Sequence, residues 1–313
     1  MVYTRLKHFV GNLNTGVLRG WLPLIMSCLL ATSCSTVLFG YDAVPSLIKY
    51  QLNRYFDLTT EQQDLAERHL DDIFVWHRQT QLKNYALFLN QVADRAVNSA
   101  NRAINPTEVA SWRTTIEAAW TPVADKVAGP FTDLMLSLKP AQIEHLKKRW
   151  AATNKDMRED YVKASAKSAP IARQKARADR VKKRAEFFLD DLTSDQEAML
   201  TKRAREVPDS EEAWYGERIA RQEAFLLLLD KIRTQKLNKS QAEPLMAAYL
   251  QTMWQPKDSA RGKQIAESTR ASDETTALVL ESASAAQRAY MVSKIRGYAS
   301  DFERLKNRGS TGQ

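Results

Sequence analysis

Residues 57–105 contain neither glycine nor proline, so nothing in that stretch interrupts a regular backbone. The apolar spacing decides which regular backbone it is. Leu82, Tyr85, Ala86, Leu89, Val92, Ala93 and Ala96 step by three and four, the interval that lines side chains along one face of a helix. No period-2 run bounded by turn residues occurs in the sequence, so no strand is predicted. The expected fold class is all-α, an elongated bundle of long capped helices or helical hairpins.

The helix starts carry a recurring signature. Leu58-Thr59-Thr60-Glu61-Gln62, Leu192-Thr193-Ser194-Asp195-Gln196 and Leu237-Asn238-Lys239-Ser240-Gln241 share the pattern Leu-Thr/Asn-x-x-Gln. This is a capping box: the Thr or Asn oxygen accepts an orphan amide of the first turn, the Gln reaches back to the cap amide, and the leading Leu staples onto the helix. Ile104-Asn105-Pro106-Thr107-Glu108 is a variant with proline at the first helical position, where its missing N–H costs nothing. Leu138-Lys139-Pro140-Ala141-Gln142 keeps the spacing with a lysine at the cap, and a fainter copy begins at Ala283-Ser284. The leading positions 58, 104, 138, 192, 237 and 283 are separated by 46, 34, 54, 45 and 46 residues. Such intervals suit successive helices or hairpins. Two readings of the recurrence stand: internal repetition, or the ordinary caps of a long helical chain.

The N-terminus is a targeting segment. Arg5, Lys7 and Arg19 are the charged residues of the first 33, and residues 20–41 carry no charge. One reading is an uncleaved anchor, since roughly 20 apolar residues span a bilayer. The other is a cleaved lipoprotein signal. Pro23 and the small or polar residues Ser27, Thr32, Ser33, Ser35 and Thr36 weaken the anchor, and Leu30-Ala31-Thr32-Ser33-Cys34 resembles the bacterial lipobox. Its leucine stands one place further from the cysteine than usual. Cys34 is then the lipidation site, because its thiol would receive the diacylglycerol thioether. Both readings put the bulk of the chain in the periplasm, with the basic N-terminus inside. Ser35, rather than an aspartate, follows the cysteine, which directs the favoured reading to an outer-membrane lipid anchor; the alternative is an inner-membrane anchor with a periplasmic domain. The organisation expected is a signal peptide over 1–33, a short tether over 34–43, a helical domain over 44–306 and a disordered tail over 307–313.

Cys28 and Cys34 are the chain's two cysteines, so the lipidated mature chain has no disulfide and depends on packing. Removing the signal takes away three bases and no acid, lowering the net charge from +9 to +6, too mild for a nucleic-acid binder of this size. The charge is uneven. Residues 163–184 hold nine bases against Asp179, and residues 185–217 hold ten acids against three bases. Lys175, Arg177, Arg180, Lys182, Lys183 and Arg184 could face anionic lipid headgroups, lipopolysaccharide phosphates or peptidoglycan carboxylates. Alternatively, the two segments lie side by side and pair. Val44, Leu47, Ile48, Leu52 and Tyr55 repeat at helical spacing, on a helix that either packs on the body or lies in the membrane interface.

Two resemblances join these residues. The Leu-Thr-x-x-Gln motif resembles that of the Spy-like periplasmic chaperones, which implies binding of unfolded clients. Over more of the chain, the lipobox-like cysteine, Phe39-Gly40-Tyr41, Asn53-Arg54-Tyr55-Phe56-Asp57-Leu58-Thr59, Trp76-His77-Arg78, Leu82 and Tyr85-Ala86 resemble an uncharacterised family of Gram-negative helical lipoproteins, classed as a domain of unknown function. That resemblance is clear to about residue 100 and implies no catalytic residue.

The residues themselves offer little chemistry. His69 and His77 are eight apart, about 12 Å along a helix, too far to share a metal ion. No His-Glu-x-x-His, paired-cysteine spacing, phosphate-cradling glycine loop or Gly-x-Ser-x-Gly elbow occurs. Asp71-Asp72, Asp190-Asp191 and Glu211-Glu212 are adjacent in sequence and diverge on a helix. Trp76-His77-Arg78 reads as a tryptophan anchoring two helices beside a hydrogen-bonded neighbour. The expectation is a non-catalytic scaffold or client-binding protein, without cofactor or metal, tethered to the membrane through Cys34 and partnered by an envelope protein or polymer. An enzyme acting on an envelope polymer and an accessory subunit of an envelope assembly complex are the alternatives.

Overall fold

Thr59 caps a helix as its sequence predicts. Its Oγ1 accepts the Gln62 N–H at 3.4 Å, and Gln62 Oε1 accepts the Thr59 N–H at 3.0 Å. Thr193 with Gln196, Asn238 with Gln241 and Asn105 with Glu108 close the same reciprocal box, and so do Ser284 and Gln287 in the faint copy. Lys139 supplies half of one: Gln142 Oε1 accepts its N–H at 2.9 Å, but an ammonium has no lone pair to return.

The computed structural model describes residues 36–159 and 169–308. The expected signal peptide, Cys34, Lys163, Lys167 and residues 309–313 lie outside them. Among the described residues every regular element is helical and none is a strand, which is the all-α class expected. The helices are α1 (Thr36–Phe56), α2 (Thr60–Thr80), α3 (Leu82–Val97), α4 (Pro106–Ala118), α5 (Trp120–Ser137), α6 (Pro140–Met157), α7 (Ala169–Leu189), α8 (Ser194–Glu206), α9 (Glu211–Thr234), α10 (Lys239–Gln251), α11 (Ser259–Ser282) and α12 (Ala285–Arg308), with a short 3-10 turn at Asn98–Ala100. Residues 1–42 form one unit and residues 43–313 a second; of the first, the described part is the helical stretch 36–42. The stretch expected as a tether is thus helical from Thr36. Pro45 sits inside α1, where its missing N–H forgoes one backbone hydrogen bond.

In the larger unit the order helix, box, helix pair, box, helix pair, box, helix occurs twice, first from α1 to α6 and then from α7 to α12. The pairs α2–α3 and α4–α5 turn at Gln81 and Ala119, both of which keep helical dihedrals. Pro208 and Pro256 open the corresponding joints in the second half. The halves exchange partners: α3 packs along α12, α4 along α11, and α5 along α10. Completing the set, α6 meets α9 through Trp150 against Phe225 and Asn154 bonded to Gln222. Each of these pairings joins one half to the other, so neither half closes its core alone. The larger core gathers Phe56, Leu134, Met135, Leu146, Phe225, Leu229, Met246 and Leu250. Its counterpart gathers Ala93, Ala96, Leu189, Met291, Val292 and Ile295.

Candidate functional site: paired glutamines, buried charges and an apolar pocket

The glutamines of the boxes do more than cap. Gln62 and Gln142 face each other, Gln62 Nε2 donating to Gln142 Oε1 at 3.1 Å and Gln142 Nε2 to Gln62 Oε1 at 2.7 Å. Their second N–H groups close helix ends, Gln62 onto the Ser137 carbonyl at 2.8 Å and Gln142 onto the Asp57 carbonyl at 2.9 Å. Gln196 and Gln287 repeat the arrangement in the other half. Their amides exchange hydrogen bonds at 2.9 Å in both directions, and they reach the Ser282 and Asp191 carbonyls at 3.0 and 2.8 Å. All four side chains are buried. Each amide therefore uses both donors and its oxygen inside the protein, as a buried polar group must. The glutamines of the boxes are thus joints of the fold.

Of the six bases expected to face an anionic surface, Arg177 is turned inward and 8% exposed. Its Nη1 donates to the Ala204 and Val207 carbonyls at 3.2 and 2.6 Å, closing the C-terminal end of α8. Its Nη2 donates to Asp209 and reaches Glu211. Lys182 pairs with Glu197 at 2.9 Å, and Arg180 lies 3.7 Å from Glu211. The basic and acidic segments do lie side by side at these contacts, because a buried guanidinium needs carbonyls and carboxylates around it. Lys175, Arg180, Lys183 and Arg184 are on the exposed surface.

The histidines are dispersed. His69 Nε2 lies 3.3 Å from Asp133, which also accepts from Lys239 at 2.8 Å. His145 Nε2 lies 3.1 Å from the Arg54 carbonyl. His77, not Trp76, is the centre of its cluster: Tyr85 Oη lies 3.3 Å away, and Tyr85 packs edge-on against Phe302 of α12. Burial, reinforced by the Arg78 charge, lowers the His77 pKa. Among the described residues no three His, Cys, Asp or Glu side chains form a metal-binding group.

Buried acids join helices. Glu217, 1% exposed, accepts the Lys257 N–H at 2.6 Å, the Asp258 N–H at 3.2 Å and Arg261 Nε–H at 2.8 Å. Burial pushes its pKa up, but these bonds together outweigh that and leave it lowered. Asp273 of α11 accepts Arg113 of α4 at 3.1 Å. Glu108 is gripped by Arg95 at 2.6 and 3.0 Å. Chiefly through that bond, its pKa is held down at about 2. A depressed carboxyl stabilises the fold fully above its unfolded pKa of about 4.3 and loses that contribution as pH falls toward the folded value. Melting curves of wild type and Glu108→Gln between pH 7 and pH 2 should therefore show a shallower acid decline in the variant. Parallel declines would mean that the Arg95 grip contributes nothing.

An apolar pocket of about 460 Å³ opens among α1, α5, α6, α9 and α10. Leu47, Ile48, Leu52 and Tyr55 form one wall, facing Phe131, Trp150, Phe225, Tyr249 and Met253. Phe225 organises the aromatic side, stacked on Phe131 with centroids 5.9 Å apart, edge-on to Trp150 at 5.9 Å and tilted against Tyr249 at 5.3 Å. Tyr249 Oη donates to the Arg221 carbonyl at 3.2 Å, and burial raises its pKa. Among the described residues no charged side chain lines the pocket. The α1 periodicity announced its first wall; the opposite wall comes from helices whose adjacency no local pattern gives.

These features define an all-helical protein of two interlocked halves with an aromatic, uncharged pocket. The chain belongs to a family of unknown function, DUF6279, which it matches over residues 54–258. The helical unit runs past the end of that match, because Gln287 of α12 completes the second glutamine pair. No curated protein and no solved structure matches the chain.

Proposed function

We propose that the protein is a lipid-anchored component of the Gram-negative cell envelope, attached to the outer membrane through Cys34, facing the periplasm and acting without catalysis as a helical scaffold or a client- or partner-binding protein. The observation that carries the location is the N-terminal sequence: three bases, an uncharged run and Leu30-Ala31-Thr32-Ser33-Cys34. The non-catalytic role is supported by how the buried ionisable groups are used, since Arg177, Glu217 and Asp273 each bond across helices. The exposed bases Lys175, Arg180, Lys183 and Arg184 offer a surface to anionic headgroups or polymers, an attraction that salt would screen.

Feeding cells a labelled fatty acid tests the anchor. The label should appear on the protein, vanish in Cys34→Ser, and leave the mature N-terminus blocked. An intact Met1 on a membrane-inserted chain would refute the lipoprotein reading. Affinity capture of the lipidated protein from envelope fractions, read by mass spectrometry, would then identify its partner.

A further inference from the structure

We propose that the apolar pocket binds one acyl chain of a separate envelope lipid, not covalently attached to this protein. The proposal rests on the envelope reading and names a ligand for it. The lining decides the chemistry. Among the described residues its side-chain polar groups are the Gln51 amide, the Tyr55 and Tyr249 hydroxyls and the Trp150 indole N–H, with no charged side chain. An extended polypeptide would bring backbone N–H and C=O groups that these few could not satisfy, a penalty repeated at every residue. An acyl chain brings none. The size agrees: about 460 Å³ lies within the range of small-molecule sites. It holds roughly 15 groups of the ~30 Å³ that a water molecule occupies, the bulk of one long chain.

The duplicated fold provides an internal comparison. In the second half, α7 occupies the place that α1 has in the first, and its backbone packs closely along α8 and α12. Leu189, Met291, Val292 and Ile295 fill the space there. Among the described residues no helix packs as closely along the α1 backbone, and the pocket opens beside it. One architecture thus packs its first helix against an aliphatic cluster in one half and lines an open, aromatic pocket with it in the other. Leu47, on the pocket wall, is 13 residues from Cys34, so a lipid-anchored chain carries the pocket close in sequence to its membrane attachment.

The test uses the full-length protein in its own envelope. Cells are fed a fatty acid bearing a photoreactive group and an alkyne, irradiated, and the captured protein is digested for mass spectrometry. Phospholipid adducts are expected on peptides holding Ile48, Phe131, Trp150 and Tyr249. Ile48→Glu places a carboxylate against the chain and should reduce them by about tenfold or more. Leu47→Asp, at a position 56% exposed, gives the same reading should Ile48→Glu unfold. Adducts missing from the pocket peptides, unchanged in both variants, or made only by the acyl chain attached to Cys34, so that the pocket peptides are crosslinked to the Cys34 peptide, would overturn the proposal. A Cys34 label without pocket adducts would overturn the pocket assignment alone and leave the envelope reading standing.

Discussion

Gln62→Leu is expected to destabilise the protein by about 3 kcal/mol, far more than the loss of one ordinary hydrogen bond. The substitution removes the acceptor of the Thr59 N–H, the donor to the Ser137 carbonyl and both bonds to Gln142. Each buried group left without a partner costs roughly 1–3 kcal/mol, and only those that reach water escape that cost. Because the two amides serve each other, their effects should not add. Gln62→Leu combined with Gln142→Leu removes the pair's mutual demand and should cost clearly less than the two single changes together. The same cycle on Gln196 and Gln287 should give the same sign. Urea denaturation of the four proteins in each cycle measures both quantities. Simple additivity would mean that the amides act as separate caps.

Glu217→Ala should cost about 3–5 kcal/mol, the range for breaking a buried ion pair on one side. The carboxylate ties α9 to the entry of α11, and its loss would orphan the Lys257 and Asp258 amides and one guanidinium N–H. Glu217→Gln keeps one oxygen but presents an amide N–H₂ to a ring of donors, so it should fall between Ala and wild type. Gly216 belongs to the same joint. A Cβ there would meet Arg261 Cδ at 2.7 Å, so Gly216→Ala should displace the guanidinium and lower stability in the same direction. Thermal melts at neutral pH, where Glu217 is ionised, check all three. A small effect of Glu217→Ala would show that water enters the joint and replaces the carboxylate.

The boundaries of the helices could be read from the sequence because their causes are local. Thr59 and Gln62, or Thr193 and Gln196, are three residues apart, and a capping box closes within one turn whatever surrounds it. The all-α class followed from the same short-range chemistry, as did the apolar wall of α1 from Leu47 to Tyr55. Which box meets which was not local. Gln62 bonds Gln142 across 80 residues and Gln196 bonds Gln287 across 91, and nothing in either motif encodes its partner. The burial of Arg177 illustrates the same limit. Lys175 and Arg180 stand two and three residues away, and the approach of the α8 carboxyl end distinguishes Arg177 from the exposed Lys175 and Lys183. The pocket required five helices from both halves to converge. By itself the sequence determined where helices start and which faces are apolar, since hydrogen bonds of the first turn and a 3.6-residue period act within a few residues. Tertiary structure alone decided the exchange of helices between halves, the glutamine pairs and the open cleft beside α1, because these depend on burial, and burial exists only once distant segments have packed.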